Sequence, residues 1–474
     1  MVLAEPEKSS SFIAEKFAEF VINTDFEDLP ASVIKRTKEV IFDFAGIALA
    51  GYGTQHSLIR NLLAYIRTKA GHQEATVLGT GFKTTCEDAA FANSVFSNFL
   101  DASDGHFMGG HINDRVVPTA LAVAENVQAN GKEFLTAVAL GYEAYIRLAY
   151  VLFRSAELTV TKRSPFFVVL SPLAGVIPAG KLLGLTKEQI AGAMGLAASA
   201  QIVSAQYTIS GGHEKDMVCG QESRRAVQSA FLAKNGILGS RDILEGKTAV
   251  GRSIVGDVNW NGLLDKLGTP KGFKIEEGYF KPWPACKFLH ASIEAALNLV
   301  QVERVHPDEI EEVIIRLNSD SARRATFSFH SHVNAIFSHP YQVVSVLVDG
   351  KHDLPIKWHE KVQNPKFINL LKHTKIELDE EFERIFMTRN LQQGPWPSTV
   401  KVKLQDGRSV ESTVLSPKGD PNTPLSDEDL KNKIIGLTHG FLEPPSIERI
   451  WEQVNRLEEL EDLGEFIDSL IVPI

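Results

Sequence analysis

Residues 268–287 read GTPKGFKIEEGYFKPWPACK, and the character of the chain changes across them. The stretch is turn-rich, with prolines and glycines close together, and a regular element cannot run through it. Helical periodicity dominates upstream. In PASVIKRTKEVIFDFAGIALAG (30–51), apolar Val33, Ile34, Val40, Ile41, Phe44 and Ile47 recur at three- and four-residue steps, with Pro30 suited to a first turn. Pro118 is expected to open a helix, PTALAVAENVQANG, that Gly131 stops. KEFLTAVALGYEAYIRLAY repeats the period, Thr186 and Gln189 form a capping box for TKEQIAGAMGLAASAQ, and SRRAVQSAFLAKNG ends at Gly236. Faces this rich in Ala and Gly let helices approach closely, which predicts a compact multi-helix bundle.

Downstream the pattern mixes. A helix at HASIEAALNLVQV precedes a strand at EEVIIRLNS, and HPYQVVSVLVDG reads as a further helix. STVKVKLQ and RSVESTVLS, joined by Asp406-Gly407, read as a hairpin with a two-residue turn. After PKGDPNTP helices resume, with Ser426 and Asp429 as a capping pair. The prediction is a mainly α protein with an α+β insertion: a helical domain from residues 1–268 and 419–474, and a smaller α+β domain over 269–418.

The 474 residues are 44% hydrophobic and 23% charged, an ordinary globular balance. Lys plus Arg number 49 against 59 Asp plus Glu, a net charge of -10 that disfavours nucleic acid or an anionic membrane as partner. Cys86, Cys219 and Cys286 are far apart, which excludes a disulfide framework, a zinc ribbon and a Cys-ligated cluster. The start, MVLAEPEKSSSF, lacks the apolar run of a signal peptide and reads as a frayed tail. Ile190–Gly212 carries no ionisable side chain, but its Ala, Gly, Ser and Gln suit a packed internal helix rather than a membrane span. A cytoplasmic protein is expected.

The densest chemistry lies at residues 100–118, LDASDGHFMGGHINDRVVP, where Asp101, Asp104, Asp114, His106 and His111 are threaded through three glycines. His106 and His111 are not spaced i and i+4 on a helix and no defined metal loop is matched, so no metal site is assigned. Acid–base chemistry needs an imidazole or carboxylate near a carbon, plus cations for substrate carboxylates. Candidates are His111, His213 and Lys215 in SGGHEKDMVCG, Lys281, His290 and Tyr341. Each has a structural alternative: Lys215 as an exposed lysine in a Gly-rich link, His290 as a satisfied histidine at a helix start, Tyr341 as a core residue. No nucleophile elbow, P-loop or dinucleotide fingerprint occurs in a strand–turn–helix setting.

Together these segments resemble the MmgE/PrpD family, which includes 2-methylcitrate dehydratase, cis-aconitate decarboxylase and iminodisuccinate epimerase. The resemblance rests on AAFANSVFSNFLDASD (89–104), PLAGVIPAGKLLGLT (172–186), the Lys215–Gly220 segment, YFKPWPACKFLH (279–290), FSHPYQVVSVLVDG (337–350) and PKGDPNTPLSDEDLKNKI (417–434), in this order. It implies a large helical domain with a smaller α+β lid, a homodimer, and chemistry on small polycarboxylates without metal or organic cofactor. By this resemblance His111, Lys215, Tyr341 and Asp101 are catalytic. Substrate binding is expected of His290, Lys281, His213, Asp104, Phe166 and Phe167.

The chain also departs from the family. In RSPFFVV (163–169), Pro165 stands where a second catalytic histidine is common; Gly105 replaces a small polar residue, and Asn98 a histidine. Phe107, Met108, Phe166 and Phe167 make the surroundings more apolar. Three readings follow: a cofactor-free dehydratase or decarboxylase, a member repurposed for isomerisation, epimerisation or cyclisation of a bulkier apolar substrate, or a non-catalytic carboxylate- or protein-binding homologue.

Overall fold

The computed structural model describes residues 12–69, 71–155, 164–199, 210–269, 272–323, 325–388 and 395–472. Its architecture is mainly α with a small α+β part. The sequence breaks into two hydrophobic cores. One runs from Ala14 to Phe280 and resumes at Leu430, and the other runs from Ala285 to Val414. The chain therefore crosses between them near residues 280–285 and returns near 414–430. The two crossings lie side by side, since the Phe280 amide donates to the Gly419 carbonyl at 3.0 Å. Gly419 has φ +92°, and a Cβ there would lie 2.2 Å from the Phe280 carbonyl oxygen, so only glycine fits.

In the larger part, the helices Ala31–Gly53, Cys86–Phe99, Asn113–Val127, Gly131–Ser155, Ser164–Leu182 and Glu214–Lys234 pack on one another. The C-terminal helices Asp427–Leu437 and Pro444–Asn455 return to the Ala31–Gly53 helix. The Thr186–Gln189 capping box forms, as does that of Ser426 and Asp429. One helix, over Gly131–Phe153, is long and apolar enough to cross a membrane, yet 94% of its apolar window is buried by its neighbours. The uncharged run from Ile190 begins in the helix Lys187–Ala198; its continuation over 200–209 lies outside the described residues.

Two helix starts differ from expectation. The helix expected from Pro118 begins five residues earlier, at Asn113, with Pro118 inside it. A proline cannot donate to the carbonyl four residues back, here that of Asp114. The Ser94 hydroxyl donates to that carbonyl instead and satisfies the acceptor the proline leaves open. Gln128, at φ +54°, ends this helix, and Gly131 starts the next rather than stopping the last.

The strands are β1 (Ala75–Val77), β2 (Phe82–Thr84), β3 (Gly105–His106), β4 (Gly110–His111), β5 (Ile310–Leu317), β6 (Thr374–Leu378), β7 (Ser398–Leu404) and β8 (Ser409–Val414). β5–β8 form one sheet in the order β6-β5-β7-β8, with β5 parallel to β6 and the other pairs antiparallel. Alternate residues Val313, Ile315 and Leu317 of β5, and Val400, Val402 and Leu404 of β7, are buried beneath helices His290–Gln301 and Pro365–Lys372. The β7–β8 turn is one residue longer than expected. Leu404 donates to Arg408, leaving Gln405, Asp406 and Gly407 as the loop, with Gly407 at φ +88°.

Candidate active site

The loop Leu100–Ile112 joins the helices Cys86–Phe99 and Asn113–Val127 and folds back on itself through the β3–β4 pair. Asp101 holds φ +54°, a left-handed conformation that costs a non-glycine residue of order 1–3 kcal/mol. Buried lysines clamp it there. Lys281 donates to the Asp101 carbonyl at 2.8 Å and Lys433, from the C-terminal helix, to the Ala102 carbonyl at 2.8 Å.

Around the Asp101 carboxylate three sequence-predicted groups converge. Lys215 Nζ lies 3.3 Å from Oδ1, Lys281 Nζ 3.4 Å from Oδ2, and His111 Nε2 3.3 Å from Oδ1. Lys281 Nζ is also 3.4 Å from His111 Nε2, and Lys215 donates to the Asn98 carbonyl at 2.8 Å. Lys215 belongs to the first turn of the helix Glu214–Lys234, not to a Gly-rich link. Asp101, Lys215 and Lys281 are almost fully buried, whereas His111 keeps 23% of its side-chain surface open. The cluster sits at the crossing between the two cores, so the site draws on both.

Burial alone would raise the Asp101 carboxyl, but Lys215, Lys281 and His111 outweigh it and hold the group well below the usual carboxylate range. Burial works against the Lys215 ammonium too, yet Asp101 and Asp216 raise it. For Lys281 burial wins, Asp101 offsetting it only in part with Lys215 adding repulsion, and its pKa falls. His111 is pushed down to about 3, by desolvation first and then by the Lys281 ammonium. Near neutral pH His111 is a neutral imidazole, facing the Lys215 ammonium and Lys281, the lysine whose charge burial disfavours, across one shared carboxylate.

Behind His111 stands a second polar layer that sequence reasoning left without a role. His111 Nδ1 hydrogen-bonds the Ser103 hydroxyl, and Ser103 Oγ lies 3.4 Å from Asp114 Oδ2. Asp114 accepts from Asn98 Nδ2 at 2.5 Å and Arg115 at 2.6 Å, and Arg115 pairs with Glu222. Asp216, next to Lys215, lies 3.3 Å from His332 Nε2 and hydrogen-bonds the exposed His213 Nδ1 at 3.4 Å. The adjacency of Asp114 to the loop and of Asp216 to Lys215 was visible in the sequence, whereas His332 carries no local signal.

Other expected site residues lie apart. Asp104 points the opposite way: its oxygens accept from the Asn113 amide at 2.9 Å and the Tyr142 hydroxyl at 2.7 Å, and burial raises it to about 7. Tyr341 is not brought to the cluster. Its ring packs on Phe329 and Phe367 in the smaller core. His290 is fully buried, donating from Nε2 to the Ala285 carbonyl beside Trp283. Phe166 and Phe167 stand in the first turn of the helix Ser164–Leu182, and their side chains lie outside the described residues.

The Gly105 departure has a geometric reason. Gly105 exchanges backbone hydrogen bonds with Tyr279, and a Cβ at 105 would lie 2.4 Å from the Gly110 carbonyl oxygen and 2.7 Å from the Tyr279 hydroxyl. Tyr279 thus fills the space of a side chain. Its ring joins Phe107, Phe288, Phe386 and Trp396 in an aromatic group alongside the loop, with Phe107 5.2 Å from Tyr279 and 5.8 Å from Trp396. Among the described residues no three His, Cys, Asp or Glu side chains are grouped to hold a metal ion.

A model of the MmgE/PrpD N-terminal domain matches residues 15–262, and one of the MmgE/PrpD C-terminal domain matches residues 283–459. The chain is 25% identical to cis-aconitate decarboxylase of Mus musculus over 95% of its own length and 91% of that protein. It is 24% identical to cis-aconitate decarboxylase of Aspergillus terreus over 98% and 97%. With 2-methylcitrate dehydratase of Escherichia coli the identity is 27%, over 52% of this chain and 53% of the relative.

Proposed function

The chain belongs to the MmgE/PrpD family, and we propose that it is a lyase that moves a proton next to a carboxylate of a small polycarboxylate while carbon dioxide or water leaves, without metal or organic cofactor. The observation that carries this reading is the convergence of His111, Lys215 and Lys281 on Asp101. Decarboxylation leaves the electron pair of the broken C–C bond on carbon, where a proton must be delivered. Dehydration removes a proton from carbon and expels hydroxide. Both demand a proton carrier at carbon and cations that stabilise charge developing on the neighbouring carboxylate. For proton removal the neutral His111 imidazole supplies the first; for proton delivery to the carbon left by carbon dioxide an ammonium of Lys215 or Lys281 does, and the two lysines supply the second. The relatives matched over nearly the whole chain are named decarboxylases, which favours loss of carbon dioxide.

A second reading, an alkyl-substituted polycarboxylate or an apolar substrate isomerised, epimerised or cyclised in a biosynthetic sequence, is favoured by the aromatic group of Phe107, Tyr279, Phe288, Phe386 and Trp396 beside the loop. Proton NMR of the purified protein with cis-aconitate, citrate, 2-methylcitrate and alkylated analogues separates the two. Turnover of cis-aconitate supports the first reading, and turnover confined to alkylated acids supports the second. No turnover of any of them refutes the lyase assignment.

A further inference from the structure

The donors and acceptors around His111 run in one direction. At Nε2 stands Lys281 at 3.4 Å, which as an ammonium can only donate. At Nδ1 stands the Ser103 hydroxyl, which reaches Asp114 Oδ2 at 3.4 Å. The Asp114 carboxyl is fully buried and held down by Arg115 and His111 against the opposing effect of burial, so as a carboxylate it can only accept. One arrangement satisfies both the donor at one end and the acceptor-only group at the other. Lys281 donates to Nε2, Nδ1–H donates to Ser103 Oγ, and the Ser103 hydroxyl donates to Asp114.

One group competes for the ring. Asp101 Oδ1 is 3.3 Å from Nε2 and could accept a proton from it. Its two oxygens make no hydrogen bond among the described residues, and their charge is offset by Lys215 and Lys281 at 3.3 and 3.4 Å, so Asp101 competes with the Asp114 side for the ring proton. Asp114 also lies 3.8 Å from Nδ1, adding attraction for a proton on that side. Arg115, the remaining charged group near the ring, pairs with Asp114 and Glu222.

We propose that Ser103 and Asp114 are positioning residues that fix His111 as its Nδ1–H tautomer, leaving the Nε2 lone pair as the base. This deepens the lyase reading and depends on it only for what the base then does. When Nε2 takes a proton from a substrate carbon, the C–H electron pair stays on the substrate. The imidazolium that forms is flanked by carboxylates on both sides, Asp101 at Nε2 and Asp114 beyond Ser103. Lys281 vacates the Nε2 lone pair by turning to the substrate carboxylate, which outcompetes a neutral nitrogen for an ammonium.

The test is the ring's own 15N NMR signature in the substrate-free protein labelled at histidine, with the His111 signals assigned by their loss in His111→Gln. A bare Nε2 and a protonated Nδ1 near neutral pH are expected. In Ser103→Ala the proton should move to Nε2, and kcat should fall about 10²-fold or more with a smaller change in KM. Ser103→Thr, which keeps the hydroxyl, should restore both. A wild-type ring protonated at Nε2 overturns the proposal, as does an unchanged tautomer in Ser103→Ala. Because the tautomer is read without substrate, the spectrum decides it even if no acid tested is turned over and the lyase reading fails.

Discussion

Replacing Asp101 by Asn removes the single negative charge that two buried ammonium groups share. At 3.3 and 3.4 Å, with an effective dielectric constant of about 20, each contact is worth about 5 kcal/mol of Coulomb attraction before desolvation is charged against it. Breaking a buried pair by removing one partner costs about 3–5 kcal/mol, because the remaining charge stays buried. Asp101→Asn should therefore destabilise the protein by about 3–5 kcal/mol, unless Lys281, the lysine whose charge is already disfavoured, sheds its proton first. Adding Lys281→Met to Asp101→Asn returns the cluster to its original net charge. Thermal and urea unfolding of wild type, both single variants and the double variant measure the effect. The double variant should recover most of what Asp101→Asn loses. A loss below about 1 kcal/mol in Asp101→Asn, or single-variant losses that simply add, would show that the carboxylate does not neutralise the lysines as the geometry requires.

Three further outcomes are expected. Lys215→Ala should lower kcat/KM by at least about 10²-fold, since it removes one of two charges aimed at the substrate carboxylate; full activity removes Lys215 from the site. With His111 held at about 3, the unfolded chain takes up a proton between pH 6.5 and 3 that the folded ring refuses. That residue makes the fold lose stability as pH falls through this window, while kcat/KM should show no acid limb near 6.5; a limb there would mean the ring is solvated. Gly105→Ala forces the β3–β4 pair apart at the Gly110 carbonyl and should cost about 1–3 kcal/mol in unfolding measurements, whereas an unchanged midpoint would mean the loop gives way freely.

The helical bundle and its α+β insert were legible because hydrophobic spacing and capping residues act over a few neighbours. Errors came where distant groups intervened. Ser94 relieves Pro118 from another helix, so the proline could sit inside rather than open its own. His111, Lys215 and Lys281 could be nominated from residue type and resemblance, but Lys215 and Lys281 reach the loop through contacts 117 to 180 residues apart in sequence. Tyr341 looked identical in sequence to a site tyrosine, and only the packing of Phe329 and Phe367 around it shows where the ring goes. The Ser103–Asp114 layer was in view within the loop, yet hydrogen-bond direction cannot be read from composition.

The bond between the paired crossings at Phe280 and Gly419 ties together the two places where the chain passes between its cores, and Lys281 follows Phe280 directly. That pairing holds the Lys281 stem where its amine meets Asp101. One of the two anion-seeking charges of the site is thus anchored in a seam of the fold and not on a free-standing loop.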